Sequence, residues 1–591
     1  MAVKPPPALH RPPVMTLATT SLLLLMLVLA LSVSTCWALD TDIPGSASGE
    51  LLGLVTSTND GADTITYQFR IVDGAAAGLY GVEFCRDVAQ DKIITNQFTT
   101  VHYDKIADGV MYTCQLPLQA KGLGGSGPQY RRRQLFETLN TPTRPSYLVY
   151  ITSLCGLQRQ QDKTVQDVLQ LFQGAGDKMN RNMKGYYESC SYNQVTLGDV
   201  TVVGPVEIPC SGSVNVSWSI PGGPTFDTKS CSEWTLQKWM YYLDAYAKKQ
   251  GIGETTKYHH KVMLLPPGMD SITNCGGWAG TSTAGWFERS TDPKVNKYGT
   301  GRIWMKPENF YRLEFWMHEA GHNMMMAHAA TPQACAFLDQ CDWTCLMGAV
   351  GGQNIRCLNA PHNWQLGWGR PFQRLNDGDL GYGKHVTVQI PAQMSTPDSS
   401  VAMSLRNTSP NQVFYLSARI NTPPYDLPFT AIYNDVPFLL LHSYAGTESN
   451  AYFKTVLLNS TTVNNDLEEP NTGLVARFLR WERIGGRDMA TVVICRRRGD
   501  REQVCDDDLD DDCDFYADDR DNDCSPQPSP PPSPPQPPAP PSPRPPRLPL
   551  SPPRLPPSPR PPSPQPPSPR AQPPPPRKTA LVRSPPRSSP R

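Results

Sequence analysis

His318, Glu319, His322 and His328 lie in one short run of a chain of 591 residues that holds only 10 histidines. The run from Glu314 to Met326 contains no proline and reads as a helix. Residues four apart on a helix lie about 40° apart around its axis, so His318 and His322 share a face. Two imidazoles stacked in this way can grip one Zn²⁺ ion. Glu319 beside them is placed to take a proton from a water that the ion activates. A straight helix would carry His328 roughly 15 Å along the axis from His318, at about 1.5 Å per residue, whereas zinc–nitrogen bonds are about 2 Å long. The chain must therefore leave the helix after His322 and turn back.

The spacing matches the HExxHxxGxxH pattern of metzincin proteases, in which glycine makes that turn. Met325 stands at the glycine position. A methionine at positive φ costs on the order of 1 kcal/mol, so the turn either bears that strain or is built differently. A rival protease class takes its third ligand from a glutamate on a later helix, but the next glutamate after Glu319 is the distant Glu448. Asp339 and Asp342 are the other substitutes, and His328 fits better. Cys345-Leu346-Met347-Gly348 follows at a distance suited to the methionine turn that metzincins place beneath the zinc.

Further motifs sharpen the reading: Tyr187-Glu188-Ser189-Cys190-Ser191-Tyr192, Cys275-Gly276-Gly277-Trp278-Ala279-Gly280, and Asn359-Ala360-Pro361-His362-Asn363-Trp364-Gln365-Leu366-Gly367-Trp368. With the zinc helix and Met347, they make the chain resemble the gametolysin (autolysin)-type matrix metalloproteases of green algae over roughly residues 144–500. The resemblance implies an α/β metzincin-like zinc protease domain. It also implies protein substrates that are proline- and hydroxyproline-rich glycoproteins of an extracellular matrix or cell wall. The alternative is a non-catalytic, matrix-binding structural glycoprotein with a protease-like domain.

Composition narrows the setting. Basic and acidic residues balance at 54 each, which gives no electrostatic footprint for nucleic acid. Residues 1–38 read as a signal peptide, with an apolar core from Leu22 to Leu31 too short to span a bilayer, and no second segment could cross one. Secretion to a matrix or periplasmic space follows. The 16 cysteines then point to disulfides, including Cys335, Cys341, Cys345 and Cys357 around the site, where a structural zinc cluster is the weaker reading. Asn215, Asn407 and Asn459 head glycosylation sequons.

Residues 39–133 form a β-rich candidate propeptide, with a strand over Thr64–Val72 and a tribasic processing site at Arg131-Arg132-Arg133. Cys85 and Cys114 are its thiols. Either one reaches the zinc as a switch, or they pair with each other. If the region is cut away, an odd number of cysteines remains. Residues 134–385 form the catalytic domain, with strands at Tyr147–Ile151, Lys261–Leu265, Gly280–Phe287 and Arg302–Met305. Helices are expected at Val165–Phe172 and Trp234–Ala247. Trp278–Trp286 is the candidate substrate-binding edge, and His259-His260 reads as a solvated loop. Residues 386–498 show short strands of a β-sandwich-like domain. Residues 499–524 crowd aspartates between cysteines, a candidate Ca²⁺ segment or a solvated acidic linker. The Pro/Ser-rich tail 525–591 cannot bury a core, adopts extended polyproline II, and reads as a matrix-contacting stalk.

Overall fold

The computed structural model describes residues 43–524 except 59–63, 73, 75, 89–92, 94, 96, 120–138, 140, 159–161, 178, 217–219, 334, 336–339, 349–353, 407–411, 431–432, 434 and 447–452. The signal peptide, the tribasic site, Asp339, Asn407 and the Pro/Ser-rich tail lie outside the described residues. The described chain is mixed α/β, with many strands and few helices.

The N-terminal strands are β1 (Gly45–Thr58), β2 (Thr64–Ile71), β3 (Gly78–Phe84), β4 (Gln97–Tyr103), β5 (Lys105–Ala107), β6 (Val110–Thr113) and β7 (Leu118–Gln119). Then come β8 (Tyr147–Leu154), α1 (Val165–Gln173), α2 (Met183–Cys190), β9 (Val200–Ile208), the hairpin β10 (Ser211–Ser213) and β11 (Thr225–Asp227), and α3 (Glu233–Lys249). They lead to β12 (His260–Leu264), β13 (Trp278–Ala284), β14 (Gly301–Met305) and the histidine-bearing α4 (Leu313–Asn323).

The central sheet runs β9-β8-β12-β14-β13. Its inner pairs are parallel and β13 is antiparallel to β14. Tyr147-Leu148-Val149-Tyr150-Ile151 is wholly buried, because helices cover both faces of a mostly parallel sheet. Tyr147, Val149 and Ile151 pack toward Phe172 of α1, Tyr187 of α2 and Trp316 of α4. Leu148 and Tyr150 pack on the other side against Trp239, Met240 and Leu243 of α3. That alternation is the period-two pleat expressed as two cores. Helix α1 starts in a capping box, with Thr164 and Asp167 exchanging side-chain and backbone hydrogen bonds.

One pairing was not expected from local pattern. The order continues past β13 into β1-β2-β3-β6-β5, so the presumed substrate-binding edge is covered by the N-terminal region. Cys85 and Cys114 are bonded to each other there, which resolves the alternatives for these thiols in favour of the pair.

The remaining elements are β15 (Ala329–Ala330), α5 (Ala360–Leu366), β16 (Arg370–Asn376), β17 (Val386–Pro391), β18 (Asp398–Ser404), β19 (Val413–Arg419), β20 (Phe438–Tyr444), β21 (Thr455–Thr462), β22 (Asp466–Glu469), β23 (Leu474–Ile484) and β24 (Arg487–Arg496). They form a six-stranded sheet, β15-β21-β20-β19-β18-β16, and a four-stranded one, β17-β24-β23-β22. Met403, Leu416 and Leu441 from the first share a core with Ile390, Ala476 and Val492 from the second. The sheet begins immediately after His328, because β15 pairs with β21. The strands beyond α4 therefore help to hold the segment that carries His328.

Candidate metal centre

Helix α4 places His318, Glu319 and His322, and its ending decides where His328 goes. The Met325 N–H donates to the His322 carbonyl at 2.9 Å and the Met326 N–H to the Gly321 carbonyl at 3.1 Å. Met325 itself stands at φ 69°. This two-bond, left-handed helix ending is the one usually given to glycine. The glycine-type turn is thus kept with methionine in its place, at a strain of about 1 kcal/mol. Burial of the Met325 side chain offsets that strain, as does a 2.9 Å hydrogen bond from Gln365 Nε2 to the Met325 carbonyl. The reversed chain then enters β15, and the Thr455 N–H binds the His328 carbonyl at 3.2 Å.

The three imidazoles converge, each offering a ring nitrogen within 4.8 Å of the others. His318 Nδ1 lies 3.0 Å from the Leu346 carbonyl and His322 Nδ1 lies 2.9 Å from the Met326 carbonyl. A carbonyl only accepts, so both Nδ1 atoms carry the hydrogen and both Nε2 atoms present lone pairs. Those two Nε2 atoms are 3.1 Å apart. Two lone pairs at that separation repel unless a cation lies between them. A tetrahedral ion with bonds of about 2.1 Å sets its ligands about 3.4 Å apart, so the donor set fits Zn²⁺. Burial, with His318 and His328 alongside, holds His322 well below the usual imidazole range and so in the neutral, ligating form.

Met347 closes the floor beneath the helix. A Cβ on Gly321 would stand 2.5 Å from Met347 Sδ, so glycine there allows the close approach. A Cβ on Gly348 would stand 1.9 Å from the Asp342 carbonyl oxygen, which restricts that position to glycine too. Leu346, one residue earlier, supplies the carbonyl that orients His318.

Glu319 is fully buried, and the Ser282 hydroxyl donates to its Oε2 at 2.6 Å. Ser282 comes from β13, and no local pattern in the sequence ties it to Glu319. Asp342 is not among the converging groups. It pairs with His442 at 3.1 Å and accepts from Asn359 Nδ2 at 3.0 Å. Burial alone would raise its carboxyl, but His442, Thr344 and Asn359 hold it well below the carboxylate range.

His259 and His260 are buried at the start of β12, not solvated. His260 Nδ1 meets Asn323 Oδ1 at 3.0 Å and the ring stacks on Tyr147. His259 Nδ1 meets Ser146 Oγ at 2.8 Å. Burial lowers His260 to about 3 and His259 to about 4. Of the cysteines near the site, Cys335 bonds Cys341 and Cys357 bonds Cys190. Cys345 is the leftover thiol, 3.2 Å from His362 Nδ1, and burial pushes it up to about 12.

The acidic segment is knotted by Cys505–Cys524 and Cys495–Cys513. Glu502, Asp510 and Asp512 bring carboxylate oxygens within 4.8 Å of one another, as do Asp512, Asp514 and Asp521. Asp510 is 1 % exposed, and its Oδ1 has no hydrogen-bond partner among the described residues. Burial and the neighbouring Asp514, Asp521 and Asp510 push Asp512 up to about 6.

The family described as gametolysin peptidase M11 matches residues 144–465, a span that takes in the histidine-bearing α4 and the six-stranded sheet after it. The chain is 27 % identical over 443 residues to the autolysin of Chlamydomonas reinhardtii, across 61 % of this chain and 66 % of that protein. It thus spans just under two thirds of the relative's length. No solved structure matches it significantly.

Proposed function

The chain belongs to the gametolysin peptidase M11 family, and on that premise we propose a secreted zinc endopeptidase of metzincin-like fold that cuts proline- and hydroxyproline-rich matrix or cell-wall glycoproteins. One observation carries the chemistry: His318, His322 and His328 converge while Glu319 lies buried on the same helix. Zn²⁺ held by these imidazoles would supply a Lewis acid that polarises the scissile carbonyl and acidifies a water. Glu319 takes the proton from the attacking water and hands it to the leaving amine. Ser282 holds the Glu319 carboxylate in place, and the Leu346 and Met326 carbonyls hold the tautomers of His318 and His322.

Seven disulfides among the described residues support an oxidising, extracellular setting. The relative's name, autolysin, and the Pro/Ser-rich tail support a matrix or wall substrate. Processing after Arg133 would release residues 39–133. Glu502, Asp510 and Asp512 would hold Ca²⁺ through hard oxygen donors, with Cys505–Cys524 closing the segment.

The test is digestion of a proline-rich matrix glycoprotein by the Arg133-processed protein, with and without chelator. Cleavage should stop with chelator and return with Zn²⁺. Glu319→Gln should keep its zinc and lose about 10²–10⁴-fold in kcat. Substantial residual hydrolysis in that variant would overturn the role given to Glu319.

A further inference from the structure

The free side of β13 is the natural place for an extended peptide to add a strand beside the catalytic glutamate. β14 satisfies its inner side at Gly280, Thr281 and Ser282. The face carrying Gly280 and Ser282 turns to α4. Ser282 donates to Glu319 Oε2 at 2.6 Å, and a Cβ on Gly280 would stand 2.8 Å from Glu319 Oε1. A peptide paired on the outer side would run its backbone past the group that moves the proton, with main-chain hydrogen bonds supplying affinity.

That place is taken. β1 pairs antiparallel with β13 from Gly53↔Ala284 to Thr58↔Trp278. Opposed residues of an antiparallel pair share a face. Val55 opposite Ser282 and Ser57 opposite Gly280 therefore lie on the Glu319 side, at 0 % and 3 % exposure. With β1 in place, Glu319, His318, His322 and His328 are all at most 3 % exposed. Further contacts pin the strand. Glu50 pairs with Arg70 and Arg289, Arg70 donates to the Phe287 carbonyl, and Thr66 donates to Glu233 of α3. Both thiols of the region are consumed in Cys85–Cys114, so among its described residues no cysteine is left to reach the metal. Obstruction therefore comes from backbone pairing.

We propose that residues Gly53–Thr58 occupy the outer side of β13, the substrate-binding edge expected from the sequence, as an internal competitor, so that the N-terminal region silences the site by strand pairing. The proposal rests on the peptidase reading for its substrate, but the occupancy of β13 is tested without turnover. A cut in the tribasic run Arg131–Arg133 removes the covalent tie between competitor and site. The competitor then departs at the rate at which its pairing opens.

A lock makes the test direct. Thr56 Oγ1 and Thr281 Oγ1 are 3.0 Å apart, and their side chains alternate with those facing Glu319. Thr56→Cys with Thr281→Cys should cross-link β1 to β13 without touching the catalytic face. The assay uses the full chain in the Glu319→Gln background, cut at Arg133 by a trypsin-like protease. It reads fluorescence anisotropy of a labelled proline-rich peptide and hydrogen exchange of the Trp278–Ala284 amides. The uncut chain and the cut, cross-linked chain should bind the peptide at least tenfold more weakly than the cut, unlinked chain. Their β13 amides should stay protected, and the cut, unlinked chain should lose that protection until peptide is added. Mild reduction of the engineered bond should restore binding, with the unlinked chain in the same reductant as control. Equal peptide binding by linked and unlinked cut chains would overturn the proposal, as would β13 exchange that cleavage leaves unchanged. Failure of the peptidase reading shows separately, as wild-type chain that binds peptide after cutting yet never hydrolyses it.

Discussion

Two groups of buried histidines lie at or against the same helix. His318, His322 and His328 stand on and just beyond α4, whereas His259 just precedes β12 and His260 opens it, touching the end of α4 through Asn323. Both groups are buried, and burial pushes His322, His259 and His260 below the ordinary range. Burial and neutrality therefore do not make a ligand set. The difference lies in direction. In the first group carbonyls capture Nδ1 of His318 and His322, and the Nε2 atoms turn to a common point. In the second the rings go to separate partners, Ser146 and Asn323.

The sharpest way to break this contrast is to remove one histidine from each group. His322→Ala should abolish stoichiometric zinc and all turnover, while His260→Gln should leave zinc content unchanged, as read by metal analysis of the purified chains. Zinc lost equally from both would erase the distinction.

Acid should separate the second group next. His260 titrates near 3 in the fold and near 6.5 when unfolded, so its contribution is full above about pH 6.5 and is lost as pH falls toward 3. By pH 4 that loss is on the order of 3 kcal/mol for His260 alone. Denaturant melts across this range should show it, with a shallower acid slope in His260→Gln. An unchanged slope would remove His260 from the account.

Smaller effects concern the first group. Met325→Val puts a β-branched residue at φ 69° and should cost about 1–2 kcal/mol in the same melts, with weaker zinc retention. A neutral result would mean that the turn carries no strain. Ser282→Ala should lower kcat about tenfold at unchanged zinc content, since Ser282 only positions Glu319. A change in KM alone would contradict that role.

Much of the site could be read in the sequence because its information is local. His318 and His322 follow from helical spacing, and the reversal before His328 follows from bond lengths alone. Tyr147–Ile151, Val165–Phe172 and Lys261–Leu265 carry periodicity that the strands and helix then display. The turn at Met325 was legible as a strain and not as an outcome, because its compensation comes from Gln365, forty residues on. Ser282 and the pairing of β1 with β13 were hidden for a related reason. Contacts between residues 53–58 and 278–284 depend on register across the whole sheet, and no local pattern encodes them. In the sequence His259-His260 looks like a solvated loop, because two adjacent polar residues carry no sign of the sheet and aromatic rings that bury them.

X-ray absorption at the zinc edge of the metal-loaded, Arg133-processed protein tests the central claim most directly. Three imidazole nitrogens at about 2.0–2.1 Å with one further light-atom neighbour are expected. A sulfur neighbour at about 2.3 Å, which would bring in Cys345, or a first shell without the three imidazoles would contradict it.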